Sequence, residues 1–324
     1  MRSPSQFRST ALVLCATAAL AQGQQPQQSP PGPPDPDHAH LRMAHVQGNV
    51  YVLIGDGGNI SVQVGKDGIM LVDTGFAQLV PLAMAEIRKL SDGPIRWIVD
   101  THVHTDHTGG NAAFSKLGMT RTSIGAPRIV AQSNVLNRMT GPQPDHQPKI
   151  PEAEWPNDEY FSPFKDFFMN GEAIKVYHIP NAHTDGDSIV FFRRSDVLAT
   201  GDIFTPDHYP IIDLERGGSV QGLIAGLNRI LEITVPTKYE EGGTVVIPGH
   251  GRLCDEADVV EYRNMVTVIR DRIQDAIKRG QSLAQVQEAG LTGDYDTQYG
   301  ATTGFWTTSQ FVEAVYKSLS EKKP

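Results

Sequence analysis

The chain has 324 residues, 39% of them hydrophobic and 20% charged, with a formal net charge of −9. That length suits one large domain or two of ordinary size. The acidic balance excludes the basic footprint of a nucleic-acid or anionic-membrane binder.

Taken in order, the first stretch lies outside the fold. Arg2 and Arg8 precede an apolar run at 11–21 that ends in Ala19-Leu20-Ala21, a small-x-small cleavage pattern. The run is too short to span a bilayer permanently, so residues 1–21 read as a secretory signal peptide. The expectation is a mature chain in the periplasm or outside the cell, without a stable membrane anchor. A lipoprotein anchor at Cys15 fits less well, because bulky Leu14 precedes the cysteine. Cleavage would leave Cys254 as the sole cysteine, which rules out an intramolecular disulfide. Cys254 reads as an inert structural thiol, although it lies close to His250. Residues 22–45 open with the tract QGQQPQQSPPGPPDPD and read as an exposed linker. His38, His40 and His45 follow it without fixed spacing and read as solvated.

The folded domain is expected over 46–324. Strands are predicted at 50–54, 60–64 and 68–72, with turn residues Asp56-Gly57-Gly58 and Lys66-Asp67-Gly68 between them. A helix opened by Pro81 runs over 81–90, a strand follows at 95–99, and another helix opens near Asn111. A short strand is predicted at 128–130. The proline-rich, polar stretch 141–155, containing His146, is long enough for a lid or substrate loop. Strands are expected at 173–179, 188–192, 197–200 and 244–247, and a helix at 222–231. The helix predicted over 257–278 turns Val260, Met265, Ile269, Ile273 and Ile277 inward. Two more helices are predicted at 282–289 and 308–318.

The strand at 95–99 delivers Thr101-His102-Val103-His104-Thr105-Asp106-His107-Thr108-Gly109-Gly110-Asn111. In an extended segment His102 and His104 project to the same side and can share one metal ion. Asp106 and His107 would point apart in a strand, but a turn there lets both reach a second ion. Three more candidate ligands each follow a predicted strand: His183 in Asn181-Ala182-His183-Thr184-Asp185, Asp202 in Thr200-Gly201-Asp202, and His250 in Pro248-Gly249-His250-Gly251. Loops anchored on strand ends present ligands with small positional error. Five imidazoles and two carboxylates without a thiolate suit Zn²⁺ or a similar borderline ion.

This set, HxHxDH followed by His, Asp and the His of GHG, resembles the metallo-β-lactamase superfamily from about Val46 to about Arg279. The resemblance implies an α/β fold, an αββα sandwich of two mixed sheets flanked by helices. It also implies that His102, His104 and His183 hold one zinc, that Asp106, His107 and His250 hold another, and that Asp202 bridges them. His104 stands where di-iron relatives carry Glu, which favours zinc, while a mono-iron site of the persulfide-dioxygenase kind also suits the string. Thr205 stands where some β-lactamases carry a lysine and lactonases a tyrosine, and Tyr209 lies nearby as a substitute. The bridging aspartate places the chain nearer the glyoxalase II and lactonase branches than the named β-lactamases.

The implied function is an exported dinuclear zinc hydrolase. A hydroxide between two metals would attack an acyl carbon of a small ester, thioester, lactone or β-lactam, with Asp106 moving the proton. The alternatives are a persulfide dioxygenase with one iron, a β-lactamase proper, and a zinc-binding protein without turnover. A ribonuclease of the same superfamily is opposed by the charge. Asp73, in Leu71-Val72-Asp73-Thr74-Gly75, is a candidate to orient a ligand imidazole, with a turn cap as its other reading. His208 and Tyr209 are candidates to touch substrate. His178 reads as structural, His146 as solvated, and Asp185 and Asp187 as loop hydrogen-bonders.

Overall fold

The computed structural model describes residues 32–119, 125–143, 148–239 and 242–320. The expected signal peptide, the first part of the Gln/Pro tract and His146 lie outside the described residues. The first sheet contains β1 (Leu41–Gln47), β2 (Val50–Gly55), β3 (Ile60–Gly65), β4 (Gly68–Val72), β5 (Ile95–Val99), β6 (Arg128–Gln132) and β7 (Asp158–Tyr160), in that spatial order. Pairing is antiparallel from β1 to β4 and parallel from β4 to β7. Parallel neighbours need crossovers. These are supplied by α1 (Val80–Arg88) and then by the single turn α2 (Thr105–Thr108) with α3 (Asn111–Leu117), while α4 (Ser133–Thr140) follows β6. Every residue of β4 is buried, as expected of a central strand covered on both faces.

The second sheet runs β12 (Val245–Ile247), β11 (Val197–Ala199), β10 (Ser188–Phe192), β9 (Glu172–His178) and β8 (Phe164–Met169). Its one parallel pair, β11 with β12, is joined through α5 (Val220–Ile233). Beyond it come α6 (Glu256–Lys278), α7 (Leu283–Glu288), α8 (Asp296–Tyr299) and α9 (Thr308–Ser320).

The layers follow from which face each strand buries. Val52, Met70, Val72, Val99 and Val130 of the first sheet meet Ile174, Val176, Val190, Phe192 and Ile247 of the second. Outside the first sheet, Val80, Ala83, Ile87 and Phe114 pack on Val62, Ile69, Leu71 and Ile98. Outside the second, Leu227, Ile230, Met265, Ile269, Phe311 and Val315 pack on Ile189, Leu198 and Val246. The result is the helix–sheet–sheet–helix sandwich of two mixed sheets. Among the described residues, no helix is long and apolar enough to cross a membrane.

Several elements differ from expectation. The fold starts at Leu41, inside the stretch read as linker, because β1 pairs along β2 through the turn at Gly48 (φ 59°). As an edge strand with no fully buried residue, β1 carries little hydrophobic pattern. The edge strands β7 and β8 and helix α4 were not expected either. The left-handed Asn170-Gly171 turn (φ 52° and 80°) between β8 and β9 is the hairpin signature that marks one of them. In α6 the buried set is Val259, Tyr262, Met265, Val266, Ile269, Ile273 and Ala276, with Val260 and Ile277 only half-buried, so the inward face is rotated slightly from the predicted one.

Candidate metal centre

Strands β4 and β5 end side by side, and the chain beyond each builds the site. Asp73 takes a left-handed φ of 64°, uncommon for a residue with a side chain. Its carboxylate accepts hydrogen bonds from the Thr101 backbone N–H (2.7 Å) and the Thr101 Oγ1 hydroxyl (2.8 Å) and lies 2.8 Å from His107 Nδ1. Asp73 therefore orients a candidate ligand imidazole, the first of its two sequence readings. His104 is extended (φ −68°, ψ 146°) and caps α2, whose single turn swings Asp106 and His107 round. The backbone N–H groups of His107 and Thr108 both donate to the His104 carbonyl. The turn that the sequence required between His104 and His107 is this one.

The seven predicted side chains converge as two groups. His102, His104, His183 and Asp202 form one, and Asp106, His107 and His250 the other, with the candidate ligand atoms of each group within 4.8 Å of one another. His183 Nε2 is 2.9 Å from His104 Nδ1, and His107 Nε2 is 3.2 Å from His250 Nε2. Asp202 lies between the groups. Its Oδ1 is 3.2 Å from His107 Nε2 and 3.5 Å from His250 Nε2. Its Oδ2 is 3.9 Å from His102 Nε2 and 3.8 Å from His183 Nε2. Asp106 Oδ2 is 3.2 Å from His250 Nε2.

The donor set fits divalent cations. His102 Nε2 and Asp202 Oδ1 are buried and have no hydrogen-bond partner, although buried polar atoms nearly always find one. Facing imidazole nitrogens beside carboxylate oxygens need positive charge between them. Without an ion, protons would have to supply it. Burial opposes charge on His107 and His250, but Asp202 and Asp106 outweigh it and raise both, His250 to about 10. Burial likewise pushes Asp106 up, yet His107 and His250 bring it down to about 2. Burial lowers His102 and takes His183 to about 4, so these two imidazoles are neutral and ready to donate a lone pair.

A second ring of contacts holds the imidazoles. His183 Nδ1–H donates to the Ile211 carbonyl at 2.8 Å, which leaves Nε2 as the lone-pair nitrogen. His102 Nδ1 lies 3.0 Å from Thr101 Oγ1. His104 Nε2 is 2.9 Å from Asp213 Oδ2, and Arg216 holds the same oxygen at 2.8 Å. Burial raises the Asp213 carboxyl, but His104 and Arg216 outweigh it and keep it below the usual carboxylate range. Sequence reading missed Asp213 and Ile211, because nothing local marks either.

Other candidates fall elsewhere. Tyr209 is corrected from a substrate contact to a core residue. Its ring stacks on Phe311 at 4.5 Å, and its hydroxyl donates to Asp296 Oδ1 and the Thr292 carbonyl. His208 is half-buried, with Nδ1 2.7 Å from the Tyr209 carbonyl oxygen. Thr205 Oγ1 lies 3.3 Å from the Tyr262 hydroxyl. His178 Nε2–H donates to the Asp185 carbonyl, Asp185 pairs with Arg138, and Asp187 accepts from the Thr184 backbone. All three play the structural parts expected. Cys254 is buried, and burial pushes its thiol up to about 12, so no thiolate joins either group.

Comparison with known proteins agrees with this geometry. The family model described as the metallo-beta-lactamase superfamily matches residues 46–250, more than half of the chain. A linear primary-alkylsulfatase from Pseudomonas sp. is 39% identical over 74 residues, 22% of this chain and 14% of that protein. The solved sec-alkylsulfatase Pisa1 from Pseudomonas sp. superposes with a TM-score of 0.62 at 17% identity, over 86% of this chain and 50% of that one. A metallo-beta-lactamase from Pontibacter korlensis gives 0.53 at 16% identity, over 70% and 99%. The chain thus spans half or less of each alkylsulfatase, and at these identities the superpositions speak for the fold alone. From the family match over more than half of its length, together with the paired ligand groups, the chain belongs to the metallo-β-lactamase superfamily.

Proposed function

We propose that the chain is an exported hydrolase that holds two zinc ions and cleaves an acyl bond of a small molecule: an ester, thioester, lactone or lactam. The observation that carries the reading is the position of Asp202, one carboxylate oxygen toward each ligand group, with its Oδ1 and His102 Nε2 left without partners. His102, His104 and His183 would hold the first ion, Asp106, His107 and His250 the second, and Asp202 both. Bound divalent ions would polarise the scissile bond and acidify a water. Asp106, whose side chain is 28% exposed, stands on the open side of the site, so its Oδ2 is placed to take the proton. Asp73, Thr101, Ile211 and Asp213 keep the imidazoles in the orientation this requires. Export rests on Arg2, Arg8 and the apolar run ending at Ala21.

A second reading is hydrolysis of a sulfate ester, a branch not weighed from the sequence. The 39% identical segment of the primary-alkylsulfatase favours it. Both readings are tested together by assaying acyl and sulfate esters with metal content measured on the same sample. The expected result is about two zinc equivalents, activity abolished by chelators, and indifference to serine-directed acylating reagents. Turnover of alkyl sulfates alone would replace the acyl reading with the sulfate one. A single bound iron and no hydrolysis would overturn both.

A further inference from the structure

The β2–β3 turn approaches the metal centre from the first sheet, and its tip touches both loops of the second ligand group. The Gly58 N–H donates to the Asp106 carbonyl at 3.3 Å. A Cβ at Gly58 would lie 2.7 Å from His107 Cε1 and 2.9 Å from His107 Nε2, so only glycine fits there. The next residue, Asn59, is 4% exposed and sits at the mouth of β3. Its backbone N–H donates to the Gly249 carbonyl at 2.7 Å. Its side-chain Nδ2 donates to the Pro248 carbonyl at 2.9 Å and to the Gly251 carbonyl at 3.0 Å. Three donors of one residue thus take the three carbonyls around His250.

The His250 loop is closed at its base by two backbone hydrogen bonds between Val246 and Cys254, which tie it to its own strand and not to the first sheet. It follows β12, an edge strand of the second sheet, whereas Asp106 and His107 are carried by the first sheet. The Gly249 N–H also bonds back to Gly201 and Phe204, beside Asp202. A Cβ at Gly249 would lie well inside contact distance of Asp202 Oδ1. The loop therefore passes directly over the bridging carboxylate. Its distance from Asp106 and His107 depends on what joins the two sheets at this edge, and Asn59 is the side chain that joins them.

From this we infer that Asn59 is a positioning residue for the second metal: it clamps the His250 loop to the first sheet and so sets the reach between His250 and the Asp106–His107 pair. The inference rests on the two-metal reading above. Both donor bonds of the Asn59 side chain end on backbone carbonyls, so the clamp depends on the amide N–H₂ group. Asn59→Asp keeps size and shape, retains the backbone bond to Gly249, and replaces both donors with an acceptor facing two carbonyl oxygens.

The test is a stepwise competition titration of metal-stripped protein with Zn²⁺ against a chromophoric chelator. It is paired with hydrogen-exchange measurements on the metal-free chain. For the unaltered chain we expect two equivalents bound. For Asn59→Asp the first equivalent should bind as before and the second should weaken by about 10–100-fold, the scale of a lost partner behind a metal ligand. Exchange should speed up at residues 248–252 and remain unchanged at the Asp73–Thr101 corner. If Asn59→Asp does not fold, Asn59→Ser replaces it, being neutral and too short to reach both carbonyls. Loss of both equivalents to the same degree, or of neither, in a folded variant would overturn the inference. One equivalent in the unaltered chain would instead overturn the two-metal reading on which it stands.

Discussion

At the scale of single residues, the centre separates groups that would touch a metal from groups that aim them, and the two should fail differently. Asp106 is the partly exposed carboxylate of the second group. Asp106→Asn keeps the size but removes the proposed base and a negative charge. Turnover is expected to fall by about 10²-fold or more, with a smaller effect on substrate binding. Near-normal turnover in a fully metallated variant would remove Asp106 from the mechanism. Asp213 acts one step back, through His104 Nε2 at 2.9 Å. Asp213→Asn should weaken the first metal equivalent by about 10–100-fold and leave the second unchanged, as read by competition with a chelator. Equal affinities for variant and parent would mean that Arg216 and the fold suffice to orient His104.

Among the elements, α6 shows how a helix end positions the site, because it begins shortly after His250. Asp255 Oδ1 accepts the Asp258 N–H, and Asp258 Oδ2 accepts the Asp255 N–H, each at 3.1 Å, a reciprocal cap that fixes where the helix starts. Arg252 holds both oxygens of Asp258, at 2.6 and 3.0 Å. That guanidinium lowers the Asp258 carboxyl below its ordinary value. A folded-state value below the unfolded one means stabilisation that is complete above about pH 4 and is lost as the pH falls through the folded value. Asp258→Asn should therefore cost up to about 1 kcal/mol at pH 7, the range for a largely exposed pair. The gap to the parent should narrow between pH 7 and a pH below the ordinary carboxylate range. Urea unfolding at the two pH values checks this, and a gap of the same size at both would assign it to the cap alone.

For the molecule as a whole, the C-terminal helices and the metal centre are linked through one core. Phe311 of α9 is fully buried and stacks on Tyr209, in the chain that follows Asp202. Phe311→Ala should cost about 3–5 kcal/mol, visible as a lower Tm, with the metal stoichiometry of the folded protein intact. A loss below about 1 kcal/mol would show that α9 is not part of the cooperative unit. Metal acts on the same equilibrium from the other side. Ions that bind only the folded chain stabilise it by about 2.7 kcal/mol at a hundredfold excess over Kd. Stripping with a chelator should lower Tm, and Zn²⁺ should restore it. A Tm indifferent to both would argue against metal at either ligand group.

How much of this was legible beforehand depends on the range of the interaction. The seven candidate ligands and most central strands are written in short spacings: alternation along a strand, a turn within HxHxDH, a ligand just after a strand end, while the two-sheet sandwich was implied by the family resemblance that those ligands carry. Such patterns are local, and the chain carries them whatever it packs against. Asp73 was half-legible, since its place after a buried strand is local but its hold on His107 is not. The edge strands β1 and β7 were illegible because an edge buries too little to force a pattern, and β8 was marked only by its Asn170-Gly171 turn. Only tertiary structure decided the partners behind the ligands. His104 and Asp213 lie 109 residues apart, and Asn59 and Pro248 lie 189 apart. It also withdrew Tyr209 into the core, where its hydroxyl is 87 residues from its partner Asp296. No spacing rule connects such pairs; two sheets must first pack and bring their edges to one place.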